Sequence, residues 1–250
     1  MRDFSFGGMS LSQFGGRILQ APSHTIAKRN ISREKIYGQS GDEIIDNGSY
    51  DNVDFSLKIG FMPFLTNQSA RSLADAVVYW LASLQNGYYE YTHTLKPGYY
   101  TRAVLTNFGE IVQELPTLLT VTLKFSRVPF WYRNDGKNVI SLSSDNVIAN
   151  PEAYSAEPLY CFVYSRNGFE TISITVNGET VNVDASGKPA NYYFDNVQKQ
   201  FYWFEDDVKS YLGRELLPDL QPGENNISFR VGPMSTGSFR LDITPNWRRL

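Results

Sequence analysis

From Val53 to Ile59 the chain alternates, with Val53, Phe55, Leu57 and Ile59 apolar and Asp54, Ser56 and Lys58 polar. A period of two predicts a strand with one buried face. Thr120 to Phe125 repeats the pattern, and Ile111–Glu114 and Leu118–Phe125 are read as strands. After breaks at Pro63 and Asn67 the period changes. Leu73, Ala76, Val77, Trp80, Leu81 and Leu84 recur every three or four residues and form one stripe, which predicts a helix from Ser69 to Gln85. Ser69 or Ser72 is its expected N-cap, Asp75 is expected in the first turn, and Asn86-Gly87 is the stop. Covering a sheet accounts for the helix without any further role. Tyr88–Thr92 and Tyr99–Leu105 then flank Lys96-Pro97-Gly98 as a predicted hairpin. Its tyrosines suit either core or interface, with a sugar platform as the less favoured reading.

Around Arg127-Val128-Pro129-Phe130-Trp131 the strand pattern ends and Asp135-Gly136 turns the chain, so a domain boundary is expected here. Beyond it, Val139–Leu142, residues 159–164, 170–176 and 180–184, Asn191–Phe194, Gln200–Phe204 and Asn226–Val231 read as short strands. Asn177-Gly178 joins two of them and is a strong hairpin signal. The cadence is that of an antiparallel sandwich or jelly roll.

One stretch fits neither core pattern. Between His24 and Phe61, Tyr37-Gly38-Gln39-Ser40-Gly41-Asp42 puts two glycines among polar residues, and Asp46-Asn47-Gly48-Ser49 is a second break. The expectation is a strand, an excursion with two turns and a return strand, with the run through Ile26 and Lys28 pairing with the strand at Val53. Lys28, Arg29, Arg33 and Lys35 form a basic run, offset by Glu34 and followed by Asp42 and Glu43. Such a run suits an inter-subunit ion-pair strip, or a face turned to a lumen, better than a DNA-reading patch.

Composition narrows the classes. The 250 residues allow one large or two ordinary domains, and 42% hydrophobic content is enough to bury a core. A net charge of −3 offers no large handle for nucleic acid. The halves differ: residues 1–133 carry 13 basic and 11 acidic groups, and the rest carry 10 and 15. Cys161 stands alone in an apolar run, which predicts a buried small hydrophobe and folding in a reducing cytoplasm. Met1-Arg2-Asp3-Phe4-Ser5 has no signal-peptide core and no segment is long and apolar enough to span a bilayer, so a soluble chain is expected.

Chemistry is sparse. His24 and His93 lack acidic or cysteine neighbours at ligand spacing, and a zinc site needs three or four ligands. There is no G-x-S-x-G elbow, P-loop or G-x-G-x-x-G. Glu205-Asp206-Asp207 follows Phe201-Tyr202-Trp203-Phe204, which reads first as a strand entering a solvated loop and second as a glycan or calcium site. No catalytic residue, metal or cofactor is expected.

Several motifs in order resemble the distal tail (Dit) proteins of long-tailed phages that infect Gram-positive bacteria. Phe6-Gly7-Gly8-Met9-Ser10-Leu11-Ser12-Gln13-Phe14-Gly15 is similar to that family's F-x-G-x-x-S-x-x-F-G opening. The turn at Tyr37–Asp42 and Asn47-Gly48-Ser49-Tyr50-Asp51-Asn52 follow in the family's order, with Tyr37 and Gln39-Ser40 replacing its usual Pro-Gly-Arg surroundings. Later matches are Ala156-Glu157-Pro158-Leu159, Leu217-Pro218-Asp219-Leu220-Gln221-Pro222-Gly223-Glu224-Asn225 and the Pro245-Asn246-Trp247 ending.

The resemblance implies a mainly β fold with one helix. An N-terminal ring-forming, β-sandwich-like domain with a projecting arm spans 1–133, with 240–250 returning to it. A galectin-like jelly-roll β-sandwich spans 137–239. It further implies a non-enzymatic virion protein at the phage tail tip, made in the host cytoplasm. Its copies form a homo-hexameric ring, or two rings back to back, that joins the tail tube to the tip or baseplate and passes tape-measure protein and DNA. Partners implied are the major tail tube protein, a tail-associated fibre or lysin protein and, in some members, a receptor-binding protein. Arg29, Arg33, Lys35, Tyr37, Asp42 and Tyr50 are then expected at the subunit interface, with open strand edges completed by neighbours. The competing reading is a carbohydrate-binding jelly-roll module contacting cell-wall glycans through Tyr202 and Trp203.

Overall fold

The computed structural model describes the chain except for residues 1, 23–24, 62–67, 85–86, 116–117, 165–170, 185–190, 206–207, 214–215 and 233–238. His24, Pro63, Asn67, Asn86 and Asp206-Asp207, which entered the sequence reading, lie outside the described residues. The fold is mainly β, with one α-helix among the described residues. By internal contacts the chain divides into residues 1–131, with Leu250, and residues 132–249.

In the first unit β1 (Phe4–Phe6), β2 (Met9–Ser10), β3 (Gly16–Gln20), β4 (Arg29–Lys35), β5 (Asp42–Tyr50) and β6 (Val53–Phe61) precede helix α1 (Ala70–Ser83). β7 (Tyr89–His93), β8 (Tyr99–Leu115) and β9 (Leu118–Arg127) follow it. One sheet runs in the order β2-β1-β7-β8-β9-β6-β3. The strand predicted at Val53 is β6, but its partners are β9 and β3 rather than the run through Ile26 and Lys28. Its register shows why: Phe55 stands opposite Phe125, Leu57 opposite Leu123 and Ile59 opposite Val121. Two alternating strands therefore put all their apolar side chains on one face, and such cross-strand pairs stabilise a sheet.

Helix α1 lies over that face. Ser69 is its N-cap, its hydroxyl accepting from the Ser72 N–H at 3.1 Å. Leu73, Val77, Trp80 and Leu81 are buried, and the Trp80 indole stacks on Phe14 at 5.0 Å and on Phe4 at 5.9 Å. Asp75 is not in the first turn as expected, because the helix begins at Ala70. It pairs instead with Arg71 one turn back, at 3.3 Å and in solvent. An exposed pair of this kind contributes only a few tenths of a kcal/mol.

A short strand, β10 (Trp131–Arg133), leads into the second unit. There β11 (Ile140–Leu142), β12 (Asn146–Asn150), β13 (Leu159–Tyr164), β14 (Thr171–Val176) and β15 (Glu179–Asp184) come first. β16 (Tyr192–Asp195), β17 (Gln200–Glu205), β18 (Val208–Gly213), β19 (Gly223–Val231), β20 (Phe239–Thr244) and β21 (Arg248–Arg249) complete it. Two antiparallel sheets, β11-β20-β13-β16-β17-β18 and β12-β19-β14-β15, form a sandwich. Tyr160, Phe162, Phe194, Phe201, Trp203, Leu241 and Ile243 of the first sheet share one core with Ile172, Ile174, Val176, Ile227 and Phe229 of the second. Asn177 and Gly178, both at positive φ, turn the β14–β15 hairpin as the dipeptide predicts.

The tail is used in two pieces. β20 lies between β11 and β13, with Ile243 opposite both Ile140 and Tyr160, and β21 pairs with β10. Leu241 and Ile243 supply core positions that the six-stranded sheet would otherwise lack, so the tail's apolar alternation is used there. Trp247 enters the same core. The Asn246 N–H donates to Gly136 O at 3.0 Å, and a Cβ on Gly136 would sit 2.7 Å from the Trp247 backbone nitrogen. Only glycine lets these two backbones approach so closely.

Candidate functional site

The residues predicted at a subunit interface fall on one element. Among the described residues β4 and β5 pair only with each other and form a two-stranded sheet of their own. Arg29, Arg33 and Lys35 lie on β4, Asp42 and Tyr50 on β5, and Tyr37 at the fully exposed tip, with 104% relative exposure. Arg29 stands directly opposite Tyr50, and Lys35 opposite Asp42. Nearly every residue of both strands is exposed on both faces, including Ile44 at 64%. A two-stranded hairpin with no third layer is marginal in water, so this arm has the character of a structure awaiting a partner.

Asp46-Asn47-Gly48-Ser49 is not a second turn. β5 continues through it, and Asn47 and Gly48 are extra residues in a bulge between Asn30 and Ile31. The turn chemistry that suggested a break is present, since Asp46 Oδ1 accepts from the Gly48 N–H at 3.0 Å and Gly48 sits at φ +67°. The Asn47 amide then bridges Asn30 Oδ1 and Ser32 Oγ on the partner strand. Arg29 forms an ion pair with Asp46, and its guanidinium, followed by the Gly48 N–H, holds the Asp46 carboxyl below the usual range.

The arm's root is tied to the body of its unit. The Asp51 N–H donates to Lys28 O at 2.8 Å, and the Tyr50 ring meets Phe130 edge-on at 5.6 Å. Arg127, at the end of β9, is buried. It donates to Val128 O, Pro129 O and Thr25 O, and its guanidinium lies 5.2 Å from the Trp131 ring centre. Those carbonyls belong to the chain entering the arm and the chain leaving β9, so a single cation ties both. Burial lowers its pKa to about 10, which leaves it charged at neutral pH.

Beside Arg127, Tyr91, His93, Phe55 and Trp131 line a cavity of about 30 Å³. The Tyr91 hydroxyl is buried without a hydrogen-bond partner, and burial pushes its pKa up. A buried hydroxyl that makes no bond contributes its desolvation cost and nothing else. Tyr91→Phe is therefore expected to leave stability unchanged or to raise it by up to about 1 kcal/mol, measured by denaturant unfolding. Loss of more than that would show that the hydroxyl is bonded.

His93 is a satisfied core histidine: its Nδ1 accepts from the Leu95 N–H at 3.1 Å and its ring meets Trp131 edge-on. No cluster of three or more metal-ligating side chains occurs among the described residues. Cys161 differs from expectation. It is half-buried on the outer face of β13, between the core residues Tyr160 and Phe162, because strand alternation turns it away from the core. Burial pushes its thiol up to about 11. Thiolate is the reactive form, so labelling at pH 8 by iodoacetamide is expected to be much slower than for a small-molecule thiol. Labelling at the small-thiol rate would contradict this environment.

Burial at Tyr202 and Trp203, each 8% exposed, speaks against a sugar contact through these rings. Trp203 faces the sandwich core with Phe201. Tyr202 points outward, but it stacks on Tyr193 at 5.1 Å and the Lys209 ammonium lies 3.7 Å from its ring centre. Neither ring offers a free face to a sugar. An open groove of the second unit, about 360 Å³ beside Thr175, Asn226 and Ser228, has no aromatic ring among its lining residues.

Comparison with known proteins gives a likeness of fold only. No family model and no curated protein matches the sequence. Among solved structures, the chain is similar over its full length, and over all of that chain, to SPP1 Dit (gp 19.1), described as a paradigm of the hub adsorption apparatus in phages that infect Gram-positive bacteria. The TM-score is 0.69 at 11% identity. It is also similar to a chain of the phage p2 baseplate in its activated conformation, with strontium (TM-score 0.50, 9% identity) and with calcium (0.50, 10%). Each of these covers 97% of this chain and 98% of the other. The chain thus has the all-β fold of a Dit-like hub protein.

Proposed function

We propose that this chain is a structural protein of a phage tail, a distal hub whose copies close into a hexameric ring between the tail tube and the tail tip or baseplate. The observation that carries this is the arm, a pair of strands built outside the sheet of its own unit, with isoleucines in solvent and both edges unpaired. Free edges of this kind are either blocked or used: neither strand contains proline and, among the described residues, no further strand covers them, so only the arm's charges and the bulge at Asn47-Gly48 restrict what can pair there. Head-to-tail contact between identical copies engages the same arm in every copy and closes when the rotation per copy allows. The likeness to SPP1 Dit along the whole chain supports the same reading.

In this role the chain does no chemistry of its own. The ring's bore passes tape-measure protein and DNA without reading sequence, one face of the ring meets the tube protein, and the other meets the fibre or lysin protein of the tip. The protein resides in the virion after synthesis in the host cytoplasm. Size-exclusion chromatography with light scattering, followed by negative-stain imaging, tests the ring. The expected particle has the mass of six 28.4 kDa chains and a central hole. A single-chain mass at micromolar concentration would overturn it.

A further inference from the structure

The two faces of the arm carry different charge. Directly opposed residues of antiparallel strands project to the same side, so the register sorts them. On one face Arg33 and Lys35 stand opposite Ile44 and Asp42, while Arg29 and Asp46 on that face are already paired with each other. On the other face Glu34 stands directly opposite Glu43, next to the Ser32–Ile45 pair, and no cation of the arm shares that side. Like charges in this position destabilise a strand pair. The other end of the acidic face is satisfied internally, through the Asn47 amide, and the carboxylate end is not. Each face also exposes one isoleucine beside its charges, Ile44 with the cations and Ile45 with the carboxylates.

We infer that arms of neighbouring copies stack face on face, the Arg33, Lys35 and Ile44 side of one lying on the Glu34, Glu43 and Ile45 side of the next. This rests on the ring reading and specifies the contact within it. The occupant is a second copy of this chain, because one arm bears both complementary faces. Two acidic faces meeting each other would repel, so the contact is head-to-tail, the kind that propagates and can close. Packed sheets sit about 10 Å apart, a gap that arginine, lysine and glutamate side chains bridge from opposite sides. The Glu34–Glu43 opposition is thereby relieved only in the assembly, which makes the isolated arm electrostatically incomplete.

Two charge-reversed chains test this: Glu34→Lys with Glu43→Lys, and Arg33→Glu with Lys35→Glu. All four positions are exposed, so each monomer should fold, as circular dichroism checks. Each variant alone is expected to need at least about tenfold more protein to assemble than the original chain. A one-to-one mixture is expected to recover assembly, with the two chains alternating. Salt should weaken assembly of the original chain. Reversed chains that assemble as well as the original, or a mixture that stays apart, would overturn face-on-face stacking while the ring reading stands. An original chain that is itself monomeric would remove the ring reading, and this inference with it.

Discussion

Replacing residues 30–49 by Asn-Gly is expected to yield a folded monomer that forms no ring at any practical concentration. The cut joins Arg29 to Tyr50, which stand directly opposite in the arm. A two-residue Asn-Gly turn suits such an antiparallel pair. None of the first unit's buried core lies within the excised stretch. The root survives as well: the Asp51 N–H to Lys28 O bond, the Tyr50–Phe130 contact and the Arg127 clamp on Thr25 O are all outside it. The midpoint of thermal unfolding should therefore move by no more than a few degrees, since about 1 kcal/mol shifts the midpoint of a domain of this size by roughly 2–8 °C. The effect on assembly should be total. Light scattering on the shortened chain decides the matter, and a persistent hexamer would mean that the ring is held elsewhere.

Much of this architecture is legible in the amino-acid sequence. Val53–Ile59 and Thr120–Phe125 alternate because each buries one face, and the register confirms that those faces are shared. The stripe from Leu73 to Leu84 found the helix, and Asn177-Gly178 found its hairpin. What escaped had physical reasons. Periodicity says which side of a strand is buried but not which sheet receives it, so the apolar alternation at Leu241 and Ile243 does not reveal that β20 pairs with β11 and β13. In Phe201-Tyr202-Trp203-Phe204 every residue is aromatic, so no polar partner marks the outward side and Trp203 looked available. At Asp46-Asn47-Gly48-Ser49 an Asx bond and a positive φ serve a bulge as well as they serve a turn. The arm itself was visible because neither of its faces is consistently apolar, which is also why nothing within its own chain covers it. The Arg127 clamp left no such mark, since a single arginine at a strand end has no period to betray it.

The Leu217–Asn225 motif, which carried part of the resemblance, has an architectural explanation with a sharp test. Asn225 is fully buried, and its amide nitrogen donates to Gln221 O at 2.8 Å, Gly223 O at 2.9 Å and Ile148 O at 3.3 Å. Its Oδ1 accepts from the Gln221 N–H at 2.7 Å and from the Asn177 amide at 2.8 Å. Tyr160 and Asn196 hold the same loop from the other side, through Pro218 O and Leu217 O. Asn225→Leu keeps the size and removes all five bonds, of which those to the exposed Asn177, Gln221 and Gly223 can be replaced by water while that to Ile148 O cannot. A buried orphan costs about 1–3 kcal/mol, so a loss of that order is expected in the second unit. Denaturant unfolding measures it, followed by tryptophan fluorescence in a chain whose Trp80 and Trp131 are replaced by Phe, so that only Trp203 and Trp247 report. Asn225→Asp separates shape from hydrogen bonding. It places a carboxylate among three carbonyl oxygens, an environment that favours the protonated acid and raises its folded-state pKa above the unfolded value near 4. The protonated acid can still donate once, so this variant should be most stable below the unfolded pKa and lose stability as pH rises through the folded one. A carboxylate variant with the original pH dependence would show that the loop tolerates the charge, and that Asn225 is there for its shape rather than its amide.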